Sequence, residues 1–482
     1  MDTDMVFMQN RYSHFIFLVF GYTMILLFSG CTKSNDGKDQ TPEKDKIVIA
    51  QTSFDRSVLF RIDTVSANIP SESAATITLD ETQVFQTMDG FGYSLTGASA
   101  INLYGMNATV RKEVLNHLFD CQIGNCVSYL RISIGASDLD EKVFSYNDLP
   151  SGQTDFDLSS FDISQDKKYL IPVLKEILTI QPDIKIMASP WSPPKWMKTN
   201  NSSVGGSLKQ ECYDVYSRYL LKYIQSMANE GIKIDALTLQ NEPQHGGNNP
   251  SMLMSATEQA AFIKNHVGPL FKTGNITTKI VIWDHNCDQY DYPLSILRDS
   301  MAKPYIDGSA FHLYAGDISA LSIVRNEFPE KNIYFTEQWT GANSSFSDDL
   351  KWHSRNLLIG ATRNWAKVVL EWNLATNPAY GPYTPGGCSL CKGAITIDKD
   401  LYTYNVSYFL IAHMSKFIVP GSKRIFSSYF ESSPNVAFLR PDGKTVLFIM
   451  NESSVNKPIN IKSGNRSFSV NLRPASIHTL LW

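Results

Sequence analysis

Residues 235–247 read DALTLQNEPQHGG. The first five are an apolar, β-prone run of the kind that fills a buried strand, and they end abruptly in an amide, a carboxylate and a proline. The same pattern recurs along the chain. Eight such runs lie near residues 85–94, 128–135, 183–191, 235–243, 279–286, 306–314, 332–340 and 368–375. Between them lie segments with apolar residues at three- and four-residue spacing, such as DKKYLIPVLKEILTI at 166–180 and CYDVYSRYLLKYIQSMANEG at 212–231, the second closing on Gly231. Eight strands with helical crossovers predict an α/β chain built as a (β/α)8 TIM barrel.

The two ends break that rhythm. Both carry alternating strand patterns cut by turn signals, for example NVAFLRPDGKTVLFIMN at 435–451, a hairpin about Pro441, Asp442 and Gly443. They are expected to meet in one β-sandwich attached to the barrel. The resulting domain plan is a signal segment at 1–30, a polar tether at 31–46, sandwich strands at 47–84, the barrel at 85–412 and the rest of the sandwich at 413–482.

In a barrel of this kind the chemistry sits where the strands end. Glu242 ends the fourth strand and Glu337, in FTEQW, the seventh, so two carboxyl groups face each other across the mouth. A carboxyl is rarely left in a buried strand without a partner or a task. Paired carboxyls suit cleavage of a glycosidic bond, one protonating the leaving oxygen and the other attacking the sugar carbon or activating water. Trp191 and Trp196 close the third strand, His312 and Tyr314 the sixth, Trp372 and Asn373 the eighth. Aromatic walls with amide and imidazole groups on one rim suit a flat ligand rich in hydroxyls.

Six motifs, DGFGYSLTGASA, YLRISIGASD, ASPWSPPKWMKTN, TLQNEP, FTEQW and EWNLATNP, stand in the order and spacing of glycoside hydrolase family 30, which the chain resembles over residues 85–480. The resemblance implies a barrel with an attached sandwich and hydrolysis of β-glycosides with retention. It implies Glu242 as general acid/base, Glu337 as nucleophile and Asn241 as the contact to the sugar 2-hydroxyl. It also implies Trp191 and Trp372 as pocket walls and Arg131 as the arginine steadying the nucleophile, with no metal and no organic cofactor. Where the glucosylceramidase branch has MTDAAA, this chain has LTGASA with Gly97, which is expected to vacate volume beside the far hydroxyls of glucose. The loop GPYTPGGCSLCKG at 381–393 resembles that of the bacterial and fungal β-1,6-glucanases of the family. The implied substrate is a β-glucan or β-glucoside, with endo-β-1,6-glucanase action first and a glucosylceramidase-like exo-β-glucosidase second. A non-catalytic surface glycan-binding lipoprotein is the reading from another class.

Composition agrees with a neutral partner. The 482 residues carry a formal net charge of −4, with 12% aromatic residues, and no long basic run suggests nucleic acid. Arg11 precedes the apolar run HFIFLVFGYTMILLF at 14–28, short for a membrane span, followed by SGC. This reads as a bacterial lipoprotein signal in which Cys31 takes the lipid. The expectation is an exported protein at the cell surface or in the periplasm, anchored to the outer membrane by that lipid alone. Export permits disulfides. Cys121 with Cys126 and Cys388 with Cys391 are the close pairs, their bridging left open. No His lies near CSLC, so a zinc site there is rejected. The sequence leaves the oligomeric state open.

Overall fold

The computed structural model describes residues 46–482. The expected signal segment, Cys31 and almost all of the tether lie outside the described residues. No helix among the described residues is long and apolar enough to cross a membrane.

Eight parallel strands close into a barrel: β1 (Gly90–Ser94), β2 (Tyr129–Ile134), β3 (Lys185–Pro190), β4 (Ala236–Thr238), β5 (Lys279–Asn286), β6 (Ile306–His312), β7 (Asn332–Glu337) and β8 (Ala366–Asn373), with β8 pairing back to β1. Helices Leu170–Ile180 and Tyr213–Asn229 cross over from β2 to β3 and from β3 to β4, and each buries the face its periodicity marked. On the second, Tyr216, Tyr219 and Tyr223 are fully covered and join a run of stacked rings with Tyr146.

Strand pleating sorts the barrel interior into layers. Tyr129, Met187, Ala236, Val281, Ala310, Tyr334 and Val368 form one buried apolar cluster low in the barrel. Two residues further along β2, β3, β4, β6 and β7, on the same face, come Arg131, Ser189, Thr238, His312 and Thr336, all buried and polar, whereas on β8 that place is held by Leu370 of the apolar cluster. On β5 the step is three residues. A register shift between Trp283 and His285, with positive φ at Trp283 (73°) and Asp284 (65°), swings Asp284 into the same layer.

Two sequence expectations change here. The strand expected over 85–94 divides: Ala75–Thr87 belongs to the sandwich sheet, and the barrel begins at Gly90. The strand expected over 235–243 keeps a parallel ladder only over Ala236–Thr238. Beyond it the ladder ends, and Glu242 takes a left-handed φ of 47°. The Asn241 and Glu242 amides still donate to neighbouring strands, to the carbonyls of Pro190 at 2.8 Å and Asp284 at 3.0 Å.

The chain ends meet as expected, Lys46–Ser53 pairing with Ser476–Leu481. They belong to a nine-stranded sheet whose order runs Arg61–Ser66, Lys46–Ser53, Ser476–Leu481, Thr445–Asn451, Asn435–Leu439, Lys423–Ser427, Ala75–Thr87, Lys457–Ser463, Arg466–Leu472. Strands from both halves of that order share one core, including Ile47, Leu480 and Leu447 with Ile77, Ile461 and Phe468. The sheet must therefore fold over into a sandwich. The long strand Ala75–Thr87 makes the corner, its pairing with Lys423–Ser427 broken by two register shifts. Helix Val406–Ser415, buried along its whole length, joins sandwich to barrel: His413 bonds Thr52 and Thr479 at 2.9 Å each, and Tyr93 of β1 donates to the Ser407 carbonyl.

Candidate active site

The polar layer is organised around two buried charges. Asp284 accepts from five side chains: Arg131, Ser189 and Thr238 on Oδ2 at 2.8 Å each, and Thr336 (2.6 Å) and His312 (3.1 Å) on Oδ1. Burial would raise its pKa, but the Arg131 charge and these donors hold it well below the usual carboxylate range. Arg131, wholly buried, also donates to Glu337 Oε2 and to Asn241 Oδ1 at 2.6 Å each. Its guanidinium lies 4.8 Å from the Trp191 ring and 5.8 Å from that of Trp372, and the two indoles stack at 5.5 Å.

Above this layer Glu242 and Glu337 face a cavity of about 310 Å³, lined also by Asp138, Trp191, Tyr314, Trp339 and Trp372 and by the Cys388–Cys391 bridge. An oxygen of each glutamate lies within 4.8 Å of the other. That close approach suits the roughly 5–5.5 Å spacing of a retaining pair rather than the roughly 6.5–9.5 Å of an inverting one. Their surroundings differ. Glu337 is gripped at both oxygens, by Arg131 and by the Tyr314 hydroxyl at 3.0 Å. Among the described residues Glu242 takes a single side-chain bond, from His312 at 3.2 Å, which leaves its other oxygen free beside the cavity.

His312 Nδ1 faces both, 3.2 Å from Glu242 and 3.9 Å from Glu337. Burial disfavours its charge, yet Glu337, Asp284 and Glu242 push it up to about 9, so it is an imidazolium at neutral pH. Two cations then face three carboxyls. Burial, and repulsion from Glu242 and Asp284, push Glu337 up in spite of His312 and Arg131, while the His312 bond and charge hold Glu242 down in spite of burial. Glu337 is thus the less acidic of the two, and the imidazole is a short bridge between it and Glu242. Glu242, His312 and Glu337 could together ligate a cation, but both His312 nitrogens are already engaged and Arg131 adds a repelling charge.

The structure brings together Glu242, Glu337, Asn241, Trp191, Trp372, His312, Tyr314 and Arg131. Asn373 and Gly97 do not line the cavity. Asn373 Oδ1 accepts from Thr96 (3.0 Å) and Ser99 (2.8 Å) at the start of helix Gly97–Tyr104, tying β8 to that helix. The volume expected beside Gly97 is not vacant, since a Cβ there would overlap the Asp140 carboxyl. The acid that does reach the cavity is Asp138, at the end of the YLRISIGASD motif. It is 6% exposed, burial and the Glu337 charge push it up to about 7, and its Oδ2 accepts the Cys388 N–H at 3.2 Å. Sequence reasoning passed over Asp138 and Asp284, although each is an acidic residue just past or at the end of a barrel strand. Trp196, by contrast, is a core residue, donating to Asn147 and packed on Phe156.

A closed parallel barrel with two carboxyls this close at its C-terminal mouth, one clamped and one half free, defines a retaining glycoside hydrolase. The glycosyl hydrolase family 30 TIM-barrel domain matches residues 88–418 and the family 30 beta sandwich domain residues 421–480. Endo-1,6-beta-D-glucanase neg1 of Aspergillus fumigatus is 33% identical over 83% of this chain and 86% of its own. Lysosomal acid glucosylceramidase of Mus musculus is 30% identical over 84% of this chain and 83% of its own. A solved endo-beta1,6-glucanase structure superposes with a TM-score of 0.85 at 33% identity, covering 91% of this chain and 99% of its own. The chain belongs to glycoside hydrolase family 30.

Proposed function

We propose that the protein is an endo-β-1,6-glucanase in which Glu337 is the nucleophile and Glu242 the general acid/base. The observation that carries the roles is the unequal grip on the two carboxyls. Glu337, oriented by Arg131 and Tyr314, attacks the anomeric carbon, and Glu242, with an oxygen free beside the cavity, protonates the departing glycosidic oxygen. Attack needs Glu337 anionic and Glu242 protonated, and His312 Nδ1, 3.2 Å from Glu242 and 3.9 Å from Glu337, is placed to carry a proton from Glu337 to Glu242. Water, deprotonated by Glu242, releases the glycosyl group in the second step. Trp191 and Trp372 wall the sugar, the unbonded Asn241 amide nitrogen meets its 2-hydroxyl, and Asp138 grips a hydroxyl farther from the bond broken.

The choice of β-1,6-glucan is supported by the endo-1,6-glucanase relatives and by the 381–393 loop, and it no longer draws on Gly97. The glucosylceramidase-like alternative draws on Asp138, a carboxyl able to hold a single terminal glucose. Export and a lipid on Cys31 remain part of the proposal. The two bridged cysteine pairs, Cys121–Cys126 and Cys388–Cys391, suit an oxidising compartment. The test is a panel of linear β-1,6-, β-1,3- and β-1,4-glucans and an aryl β-glucoside with product sizes resolved. Short oligosaccharides appearing early from β-1,6-glucan alone are expected. Release of glucose only, from chain ends, would overturn the endo assignment and leave the two-glutamate mechanism standing.

A further inference from the structure

The bridge Cys388–Cys391 lines the cavity, yet the segment carrying it has little regular structure and is exposed at Pro385, Gly386, Ser389 and Leu390. What holds it is a set of ties to the loops that build the site. At one end, Cys388 N–H donates to Asp138 Oδ2 at 3.2 Å and Thr384 N–H to the Asp138 carbonyl at 2.9 Å. Gly387 between them has no room for a side chain, because a Cβ would overlap that carbonyl. At the other end, Cys391 and Lys392 form a short ladder with Gly341 and Thr340, and the Leu390 carbonyl accepts from Ala342 at 2.8 Å. Residues 340–342 follow closely on Glu337. The sulfurs therefore join the residue that holds Asp138 to the residue that is fixed to the nucleophile's own loop, and they pack against Trp191, Trp372 and Trp339.

Asp138 depends on this tie. Among the described residues its carboxyl has no cation partner and takes a hydrogen bond from one other residue, Cys388, on Oδ2, while the residue lines the cavity. A short turn exposed at Ser389 and Leu390 samples many conformations without its cross-link, and one backbone hydrogen bond to a buried acid does little against that freedom. We infer that the Cys388–Cys391 bridge is a positioning device for substrate binding, keeping the Cys388 N–H on Asp138 so that the Asp138 carboxyl stays aimed at the sugar. This rests on the cavity being the sugar site proposed above. Because the carboxyl holds the sugar in ground state and transition state alike, losing its aim raises KM more than it lowers kcat.

The test is made on the folded enzyme carrying Cys121→Ser and Cys126→Ser, so that one bridge remains reducible. Tris(2-carboxyethyl)phosphine supplies two electrons and takes the oxygen of a water to become its oxide, the sulfurs take up that water's two protons as the S–S bond breaks, and thiol titration counts the two new thiols. Reduction is expected to raise KM about 5- to 20-fold on both aryl β-glucoside and β-1,6-glucan, with kcat changed less than about twofold. The further Cys388→Ser/Cys391→Ser variant should match the reduced enzyme with or without phosphine. In an Asp138→Asn background, reduction should add less than about twofold. Unchanged KM after both thiols are counted, a fall in kcat at constant KM, or effects of reduction and Asp138→Asn that multiply in full would each overturn the inference. Should the serine variant not fold, the reduction arm decides alone, with unfolding temperature followed alongside. Affinity for a gluco-configured iminosugar, measured by calorimetry, reads the same shift without turnover, so an error in the proposed polymer substrate leaves the result interpretable.

Discussion

Two layers of the barrel interior, two residues apart on five of the strands, are built on opposite principles. The lower layer of Tyr129, Met187, Ala236, Val281, Ala310, Tyr334 and Val368 is apolar and plugs the barrel. The upper one sets Arg131, Ser189, Thr238, Asp284, His312 and Thr336 in a network where Asp284 alone takes five side-chain donors. Burying that network costs desolvation that an apolar layer would not incur. What it provides is a rigid set of dipoles and charges beneath the reacting atoms, in place before substrate arrives. The lower layer holds the barrel closed, and the upper layer trades stability for orientation.

The largest break in this comparison is at the group the upper layer exists to orient. Glu337→Gln keeps the shape and the contacts to Arg131 and Tyr314 but removes the attacking charge. A fall in kcat of roughly 10⁴-fold or more is expected, with an unfolding temperature near that of the wild type. Trapping with an activated 2-fluoro sugar followed by peptide mapping should label Glu337, and a label on any other carboxyl would remove the assignment. Glu242→Ala should cost about 10²–10⁴-fold on glucan and much less on an aryl glucoside whose leaving group needs no proton, a split that separates the acid from the nucleophile.

Arg131→Met breaks the layer itself. It leaves Asp284 buried with only neutral donors and His312, so a destabilisation of about 3–5 kcal/mol is expected by denaturant unfolding, together with loss of activity. If stability were unchanged, the upper layer would not be carrying a buried charge pair at all.

The order of these effects was only partly legible in the sequence. The barrel was legible because eight apolar runs alternate with helical periodicity, and Glu242 and Glu337 because each is a carboxylate at the end of such a run. Asp284 was not, because it sits in KIVIWDHN among residues that read as one strand, and only the bulge with two left-handed residues turns it inward. Gly97 misled for a related reason. A missing side chain in a motif does not say whether a neighbour fills the space, and Asp140 does. Gly97→Asp is therefore expected to damage folding rather than shift specificity. The separation of Ala75–Thr87 from Gly90–Ser94 was hidden because both are β-prone and only three dimensions assign them to different sheets.

A pH series sharpens the comparison by titrating the polar mouth. Asp138 is raised from 3.8 to about 7 by burial and the Glu337 charge, and His312 from 6.5 to about 9 by the carboxyls around it. In both cases the native state keeps a proton that the unfolded chain has released, so each contribution is full at low pH and is lost as pH rises. Asp138 gives its contribution up between about 4 and 7, His312 between about 6.5 and 9. The stability difference between wild type and Asp138→Asn should therefore shrink by a few kcal/mol from pH 4 to pH 7 and then level off. A difference constant over that range would mean that Asp138 is already ionised in the acid range and that its site is wetter than its burial implies.

The smallest effect expected is in the lower layer, and it is most telling when set against a neighbour on the same strand. Met187 of β3 touches only apolar partners in its cluster, so Met187→Leu, which nearly conserves volume, should cost less than about 1.5 kcal/mol and leave kcat/KM unchanged. Two residues on, Ser189 donates to Asp284 at 2.8 Å and accepts from Arg131 at 3.3 Å. Ser189→Ala removes a single oxygen, a smaller change in volume, yet it takes one donor from the buried carboxylate. About 1–3 kcal/mol is expected, with a measurable fall in kcat as Arg131 and Asp284 lose a shared partner. If Met187→Leu proved the more damaging of the two, packing rather than polar order would govern the upper layer as well, and the distinction between the layers would fail.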